Sequence, residues 1–411
     1  MIFRSRSRIW PAACALTFVF ILLFLWKDQS PPSLQSQDPG KPRGYGREPT
    51  QPAELPTRPL ETTPAHPIYS SEVKPDRAAE ASQSQPSYVP GTPKPVGENY
   101  SRTLVLASTS EEETQWISHL AGDPNLSTIV YVVDNPNATY TVPKNKGHEV
   151  MVYLTYIIDH YDKLSDVTMF MHAHRVTWHN NDLMFSDAVE AIRRLSSAKV
   201  TRDGYMNMRC HLDPGCPDHI HPSVTDDHDG AIPEAVVIGR AWLEIFPDAK
   251  EPPAVLSQPC CAQFALSQAR IRNLPLNRYV SFRKWLLESE LDDRLSGRVW
   301  EYVWQYIFAG VAEFCPMESL CYCDGYGICF GGELAYQDYF ATRKKSRELA
   351  DEKHELGGEE SENGRRMQLQ IQLKELDVKM DQLRKEAFER GADPQHRAVE
   401  AGRQWREGDG F

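Results

Sequence analysis

Short apolar runs alternate with segments of helical periodicity through the middle of this chain. Three runs have the length and the flanking turn residues of buried strands: 103–108, 128–133 and 166–171. Each is followed by a segment of helical character: 111–120, 149–161 and 182–196. Strands that alternate with helices through short turns predict an α/β fold, with a mostly parallel sheet flanked by helices. We assign this globular domain to residues 102–333, and its later helical stretch, 279–310, has aromatic residues that we expect mainly in the core.

The apolar pattern is different at the N-terminus, where residues 9–26 contain no formally charged side chain. Eighteen such residues are close to the minimum for a membrane-spanning helix. Arg4, Arg6 and Arg8 precede the span, which predicts a cytoplasmic tail of residues 1–8 and a luminal body. A cleaved signal peptide is the alternative, but no small-x-small cleavage pattern follows the span. We therefore expect a single-pass type II membrane protein, and the short span favours the endoplasmic reticulum or Golgi.

Two further segments lack the pattern of a folded core. Residues 27–101 are rich in Pro, Ser, Gln and Glu, which predicts a disordered stem between membrane and domain. Residues 334–411 are dense in Lys, Glu, Arg and Gln, with apolar residues at both alternating and helical spacings. They predict either an exposed helix or short coiled coil that binds a helical partner, interrupted at Gly357-Gly358, or a solvated tail.

Charge and cysteine content agree with a luminal location. The net charge of −12 and the lack of a basic stripe argue against nucleic-acid binding. Asn99, Asn125 and Asn137 begin potential glycosylation sequons. Eight cysteines follow residue 200, where an oxidising lumen permits disulfides: Cys210, Cys216, Cys260, Cys261, Cys315, Cys321, Cys323 and Cys329. The last four lack the paired C-x2-C spacing of a zinc ribbon, so disulfides are favoured.

Two pairing expectations follow from local spacing. Cys260 and Cys261 are adjacent, and we expect them to bond to different partners. Cys210 and Cys216 flank a turn-rich loop that a local disulfide could close.

Seven of the thirteen histidines fall between His172 and His228. His172 and His174 follow the third predicted strand directly, so both would point to one face if the strand continues, and His179 could approach after a turn. Such a group either binds a divalent metal or forms hydrogen bonds in a polar pocket. A second group, His211, His219 and His221, lies in a Pro- and Gly-containing loop that we expect to fold over the site.

The identity of the metal depends on what accompanies the histidines. Carboxylates and open water positions favour Mn or Mg, whereas an all-histidine set favours Zn or Cu.

Glu301 is the candidate general base. It lies next to Trp300 and Tyr302 and one helical turn from Trp304. A carboxyl group held against aromatic rings has a raised proton affinity, which suits it to general-base catalysis. The alternative is a surface glutamate on an amphipathic helix.

With these motifs in view, the chain resembles a fungal family catalogued as a domain of unknown function (number 3431). The motifs that carry the resemblance are Asn145-Lys-Gly147, Tyr161-Asp-Lys-Leu164, Phe170-Met-His172-Ala-His174, Trp178-His179, Cys260-Cys261-Ala-Gln-Phe264 and Trp300-Glu301-Tyr-x-Trp304. The resemblance covers roughly residues 102–332 and implies no activity.

The order of elements is similar, more distantly, to glycosyltransferases of the GT-A fold. On that resemblance His172 and His174 occupy the place of the usual Asp-x-Asp metal motif, and Glu301 is the base. Residues 260–264 take the place of the acceptor-side motif, and Asp134 contacts the nucleotide. The resemblance implies a luminal enzyme that moves a sugar from a nucleotide donor to a glycan or other hydroxyl acceptor with a divalent metal. The alternatives are a membrane-anchored oxidase or hydrolase built on the histidines, and a luminal binding module without catalysis.

Overall fold

The computed structural model describes residues 88–223, 232–356, 362–407 and 409–411. They all belong to one compact unit, Pro67–Phe411. The expected membrane span at 9–26, the cytoplasmic tail and the stem up to residue 87 lie outside the described residues. Within the described ranges, no helix has both the length and the apolar character needed to cross a bilayer.

Five strands form a single sheet in the order β2-β1-β3-β5-β4. Their bounds are β1 Arg102–Ser108, β2 Leu126–Val132, β3 Val167–His172, β4 Tyr205–Asn207 and β5 Phe264–Ser267. β1 pairs in parallel with β2 and β3, whereas β5 is antiparallel to both β3 and β4. The sheet is therefore mixed, and the prediction of a mostly parallel sheet is only partly confirmed. Because β5 enters at the carboxyl end of β3, it brings the preceding cysteines to that edge.

Twelve α-helices surround the sheet in the described residues. They are α1 Val150–His160, α2 Ala188–Arg194, α3 Ser197–Asp203, α4 Ala235–Ile245, α5 Gln268–Arg272, α6 Leu276–Glu288, α7 Asp293–Glu301, α8 Trp304–Ala309, α9 Glu318–Tyr326, α10 Glu333–Glu355, α11 Asn363–Gly391 and α12 Pro394–Glu400. The helix expected over 111–120 is only a 3-10 turn, Gln115–Leu120. The helix expected over 182–196 is divided, because Phe185 and Ser186 both have positive φ (58° and 54°).

The core lies on both faces of the sheet. Along β3, Phe170 packs into an aromatic cluster on one face with Trp300 and Trp304, whereas Met169 and Met171 pack on the other. Strands that are buried on both faces need continuous apolar runs, which is why β1 and β3 are evident in the sequence. Most of the aromatic residues of 279–310 are core residues, as expected.

The charged C-terminal segment is helical and packs on the domain. Tyr336 and Tyr339 of α10 and Ala387 of α11 are buried in the same part of the core as Met169 and Met171. Arg403 donates a hydrogen bond to Asp324 of α9 over 2.8 Å. The change of composition after Glu333 therefore does not mark the end of the folded domain. A few apolar residues in each helix are enough to pack these helices against the rest of the domain.

Four disulfides link all eight cysteines beyond residue 200: Cys210–Cys321, Cys216–Cys315, Cys260–Cys261 and Cys323–Cys329. Both local expectations were wrong. The two loop cysteines pair over separations of 111 and 99 residues, because the fold brings the loop next to the segment around α9. The adjacent cysteines bond to each other.

Candidate functional site

A cavity of about 630 Å³ opens at the carboxyl ends of the three parallel strands, next to Ser108, Val133 and His172. Ligands of open α/β sheets commonly bind at this edge. Its lining among the described residues includes five histidines, five carboxyl groups and one guanidinium: His148, His172, His174, His179, His219, Glu112, Glu149, Glu234, Asp293, Glu301 and Arg298. The cavity therefore combines proton carriers and oxygen ligands in one polar space.

His172 is the last residue of β3, and its backbone N–H donates to Gln263 Oε1 over 3.2 Å. Its Nε2 is buried and has no hydrogen-bond partner in the described residues. Burial lowers the pKa of His172 to about 4, against the opposing effect of a hydrogen bond to the Cys261 backbone. The ring is therefore neutral near pH 7, which is the form that ligates a cation.

His179 faces His172 across the cavity wall, with ring centroids 5.0 Å apart. Its Nδ1 is also buried without a partner in the described residues. Burial, then the neighbouring His172, lowers its pKa to about 3. His174 is more exposed, and its Nε2 lies 3.5 Å from Glu112.

The loop that carries these histidines is fixed by hydrogen bonds rather than by a continued strand. Trp116 Nε1 donates to the Ala173 carbonyl over 2.7 Å. The Asn180 amide group donates to the carbonyls of Arg175 and Ser186, each over 3.0 Å. Because β3 ends at His172, the strand does not carry His174 onto the same face.

The predicted trio of metal ligands is not brought together as one compact set. In the described residues, two groups of three potential ligand atoms lie within 4.8 Å of one another, and neither includes a histidine. Both groups contain disulfide-bonded cysteines, whose sulfurs are not thiolates. The cavity instead offers pairs, such as His172 with His179 and His174 with Glu112.

Glu301, the last residue of α7, lies in the same cavity as His172, although 129 residues separate them in the chain. Its carboxylate accepts a hydrogen bond from the backbone N–H of Cys261. Burial raises the pKa of Glu301, and that hydrogen bond partly offsets the effect. The neighbouring Trp300 and Trp304 are fully buried, as the aromatic surroundings predicted.

Glu149 is a second perturbed carboxyl group that we did not single out from the sequence. It lies one residue before α1, and burial raises its pKa to about 8, with further contributions from Glu301 and Asp293. A carboxyl group next to the unbroken apolar run 150–154 was the available signal. Its approach to Glu301 depends on how α1 and α7 pack.

The second histidine group contributes one residue to the cavity. His219 lines it and packs against Tyr302, with ring centroids 4.7 Å apart. His221 is outside the lining and pairs with Asp218 over 2.9 Å. His211 belongs to another network, where its Nε2 lies 2.6 Å from Asp182 Oδ1 and 2.7 Å from the Tyr322 hydroxyl.

Asp134 is exposed and does not line the cavity. Its carboxylate accepts hydrogen bonds from the Ser110 N–H and hydroxyl, at 2.8 and 2.7 Å, and these lower its pKa. Of the sequon asparagines, Asn99 and Asn137 are exposed and Asn125 is half-buried.

The whole cavity, from Ala107 to Tyr302, falls inside a segment that matches a known family model. The model is described as "Protein of unknown function (DUF3431)" and matches residues 104–324, just over half of the chain. The chain belongs to this family. No curated protein and no solved structure matches it. In this member of the DUF3431 family, every ionisable group that lines the cavity comes from the family domain, which makes the cavity its candidate functional site.

Proposed function

We propose that this protein is a metal-assisted glycosyltransferase of the endoplasmic reticulum or Golgi. The N-terminal span would anchor it, and the luminal domain would move a sugar from a nucleotide donor to a hydroxyl acceptor. One observation carries the proposal: a buried carboxyl group, Glu301, shares a cavity at the carboxyl edge of the sheet with the neutral imidazole of His172.

The order of elements supports the resemblance to the GT-A fold. A strand–helix–strand half comes first, and the His172 motif ends the central strand β3. The segment before β5 then contributes Cys260 and Cys261 to the cavity, and Glu301 follows on α7. The order of elements alone does not determine activity, so the proposed activity must be argued from the residues of the cavity.

The charge of the cavity supports a requirement for a cation. Arg298 is its one permanent cation among the described residues, and it is paired with Glu234 over 2.9 Å. A diphosphate would therefore meet carboxyl groups such as Glu112 and Asp293, which pair with histidines rather than with permanent cations, unless a divalent ion accompanied it.

The residues fit such an ion as oxygen and nitrogen donors. His172 Nε2 is a buried atom without a hydrogen-bond partner in the part of the chain that the structure describes, and His174 with Glu112 offers two further donor groups. This mixture of imidazole and carboxylate favours Mn or Mg over a thiolate-bound metal. A bound cation would supply charge neutralisation for the leaving diphosphate.

Glu301 would act as the base. Its carboxylate would take the proton of the acceptor hydroxyl while that oxygen attacks the anomeric carbon and the nucleoside diphosphate departs. A raised pKa makes the carboxylate a stronger base near neutral pH, and general-base catalysis typically contributes a factor of about 100 to 10,000.

A second function has one specific observation in its favour. His172 and His179 are adjacent neutral imidazoles, each with an unpartnered ring nitrogen in the described residues. Such a pair suits Zn or Cu, as in a hydrolase or oxidase.

The two proposals can be separated with the full-length protein in detergent. We would screen nucleotide sugars for hydrolysis and for thermal stabilisation, with manganese or with a chelator, alongside H172A and E301Q. The matched controls are H221A and E113Q, which change residues outside the cavity. We expect E301Q to retain stabilisation by the donor but to lose turnover, and H172A to lose the metal-dependent stabilisation. No response to any donor, together with tightly bound zinc or copper, would reject the transferase and favour the metalloenzyme.

A further inference from the structure

Cys260 and Cys261 form a disulfide between adjacent residues. The bond closes an eight-membered ring that includes the peptide between them, so the ring restricts the local backbone. Both cysteines are buried and both line the cavity. The ring is therefore part of the candidate site, unlike the other three disulfides, whose cysteines are not among the lining residues of the described cavity.

The backbone at the second cysteine and at the residue after it has an uncommon conformation. Cys261 and Ala262 have φ values of 85° and 46°, a region that residues with a Cβ rarely adopt. Such residues cost free energy and persist only where their surroundings hold them.

Hydrogen bonds hold this segment on both sides of the ring. The Cys260 N–H donates to the Pro214 carbonyl over 3.1 Å, and the Asn207 side chain donates to the Pro259 carbonyl over 2.6 Å. On the other side, Met208 N–H donates to the Gln263 carbonyl over 2.8 Å. The ring and these bonds together fix the direction of the Cys261 N–H.

That N–H donates to Glu301 Oε1, and the Cys261 backbone also hydrogen-bonds to His172. Glu301 comes from α7 and His172 from β3. Residue 261 thus contacts the candidate base and the candidate ligand, which arrive from separate elements.

The geometry points to the Cys260–Cys261 disulfide as a positioning device that holds the Cys261 N–H against the Glu301 carboxylate. Without the ring, residue 261 relaxes toward negative φ, its N–H turns away and Glu301 loses its donor. The role of Glu301 as a base depends on the proposed function, whereas the hydrogen bond does not.

The test begins with the pairing itself. A peptide map of the full-length protein under non-reducing conditions should show Cys260 and Cys261 in one peptide that resists alkylation until it is reduced. Free thiols at these positions, or a link to another cysteine, would overturn the inference before any variant is made.

The second measurement is the pH dependence of Glu301 labelling by a carbodiimide and an amine, followed by mass spectrometry. Only the protonated carboxyl group reacts, so the pH at which labelling falls to half reports proton affinity without any substrate. In the variant with Cys260→Ala and Cys261→Ala, we expect this midpoint to rise by about one pH unit, as loss of one hydrogen bond to a carboxylate predicts. A second variant, with Cys260→Ala and Cys261→Gly, should recover part of the shift, because glycine adopts positive φ without steric cost.

The control removes a disulfide away from the cavity, with Cys323→Ala and Cys329→Ala, and should leave the midpoint unchanged. An unshifted midpoint in the folded Ala/Ala variant would reject the positioning role. If that variant does not fold, the Ala/Gly variant decides: a midpoint raised by a fraction of a pH unit is the expected result, and a wild-type midpoint without the ring would reject the positioning role. A shifted midpoint in a protein that turns over no nucleotide sugar would retain this inference and reject the transferase.

Discussion

Gly297 is the point at which α7 approaches the segment before α1, and replacing it with alanine should change stability in a way that depends on His148. A Cβ at position 297 would lie 2.5 Å from His148 Cδ2 and 3.3 Å from the Gly147 carbonyl carbon. The His148 backbone is held, because its N–H donates to Asp293 Oδ1 over 3.1 Å and its φ is 51°, and the ring Nδ1 pairs with Asp293 Oδ2 over 3.6 Å.

Two opposing effects set the magnitude of the change. Alanine is favoured over glycine inside a helix by about 1 kcal/mol. Overpacking against a neighbour that cannot move freely costs about 1–3 kcal/mol. G297A should therefore lower the free energy of unfolding by up to about 2 kcal/mol in the native background. In the H148A background the imidazole ring is absent, so the higher helix propensity of alanine should dominate. G297A should then be neutral or should stabilise the protein by up to about 1 kcal/mol.

The assay is a double-mutant cycle by urea unfolding at pH 7 on the wild type, both single variants and the double variant. Thermal unfolding gives a second reading, since 1 kcal/mol corresponds to about 2–4 °C in a domain of 150–250 residues. The expected signature is a change of sign of the Gly297 effect between the two backgrounds. An equal cost in both backgrounds would refute the contact with His148 as its cause.

Three further predictions concern charge. In the presence of a chelator, stability should fall as the pH drops from about 6.5 toward 4, because folded His172 and His179 have lowered pKa values and resist a proton that the unfolded chain accepts. The variant H172A/H179A should show a shallower fall in its urea midpoint between pH 7 and pH 5. The pKa of Glu149 is raised to about 8, so its contribution to the stability of the folded state is present in full below pH 4.5 and is lost as the pH rises toward 8. E149Q should therefore gain more stability relative to wild type at pH 9 than at pH 5. Arg343 donates to Asp182, and R343A should cost about 1–3 kcal/mol and speed proteolysis of α10 and α11.

Each of these three predictions has an outcome that would contradict it. Parallel pH curves for wild type and H172A/H179A would show that the two imidazoles are not desolvated as described. An E149Q effect that is independent of pH would place that carboxyl group in water. Unchanged proteolysis of R343A would mean that apolar packing alone docks the C-terminal helices, with K344A as the matched control on the same helix because Lys344 is exposed.

The parts of the fold that we predicted correctly are those that depend on residues adjacent in the sequence. β1 and β3 are continuous apolar runs because both of their faces are buried, and α1, Val150–His160, lies within the helical segment predicted over 149–161. His172 could be placed at a strand end for the same reason, since the apolar run stops at that residue. We did not predict that the helix after Asp182 is divided, because the pattern of apolar residues does not reveal the positive φ values of Phe185 and Ser186.

The sequence by itself determined the alternation of strands and helices, the edge of the sheet at which the candidate cavity opens, and two residues that line it, His172 and Glu301. Only the tertiary structure decided that Cys260 bonds to Cys261, that His211 lies in a separate network, and that Glu149 lines the same cavity as Glu301. The physical reason is the range of the interactions involved. Strand and helix periodicity reflects burial over a few neighbouring residues, whereas these contacts depend on where β5 and α7 pack against distant segments of the chain.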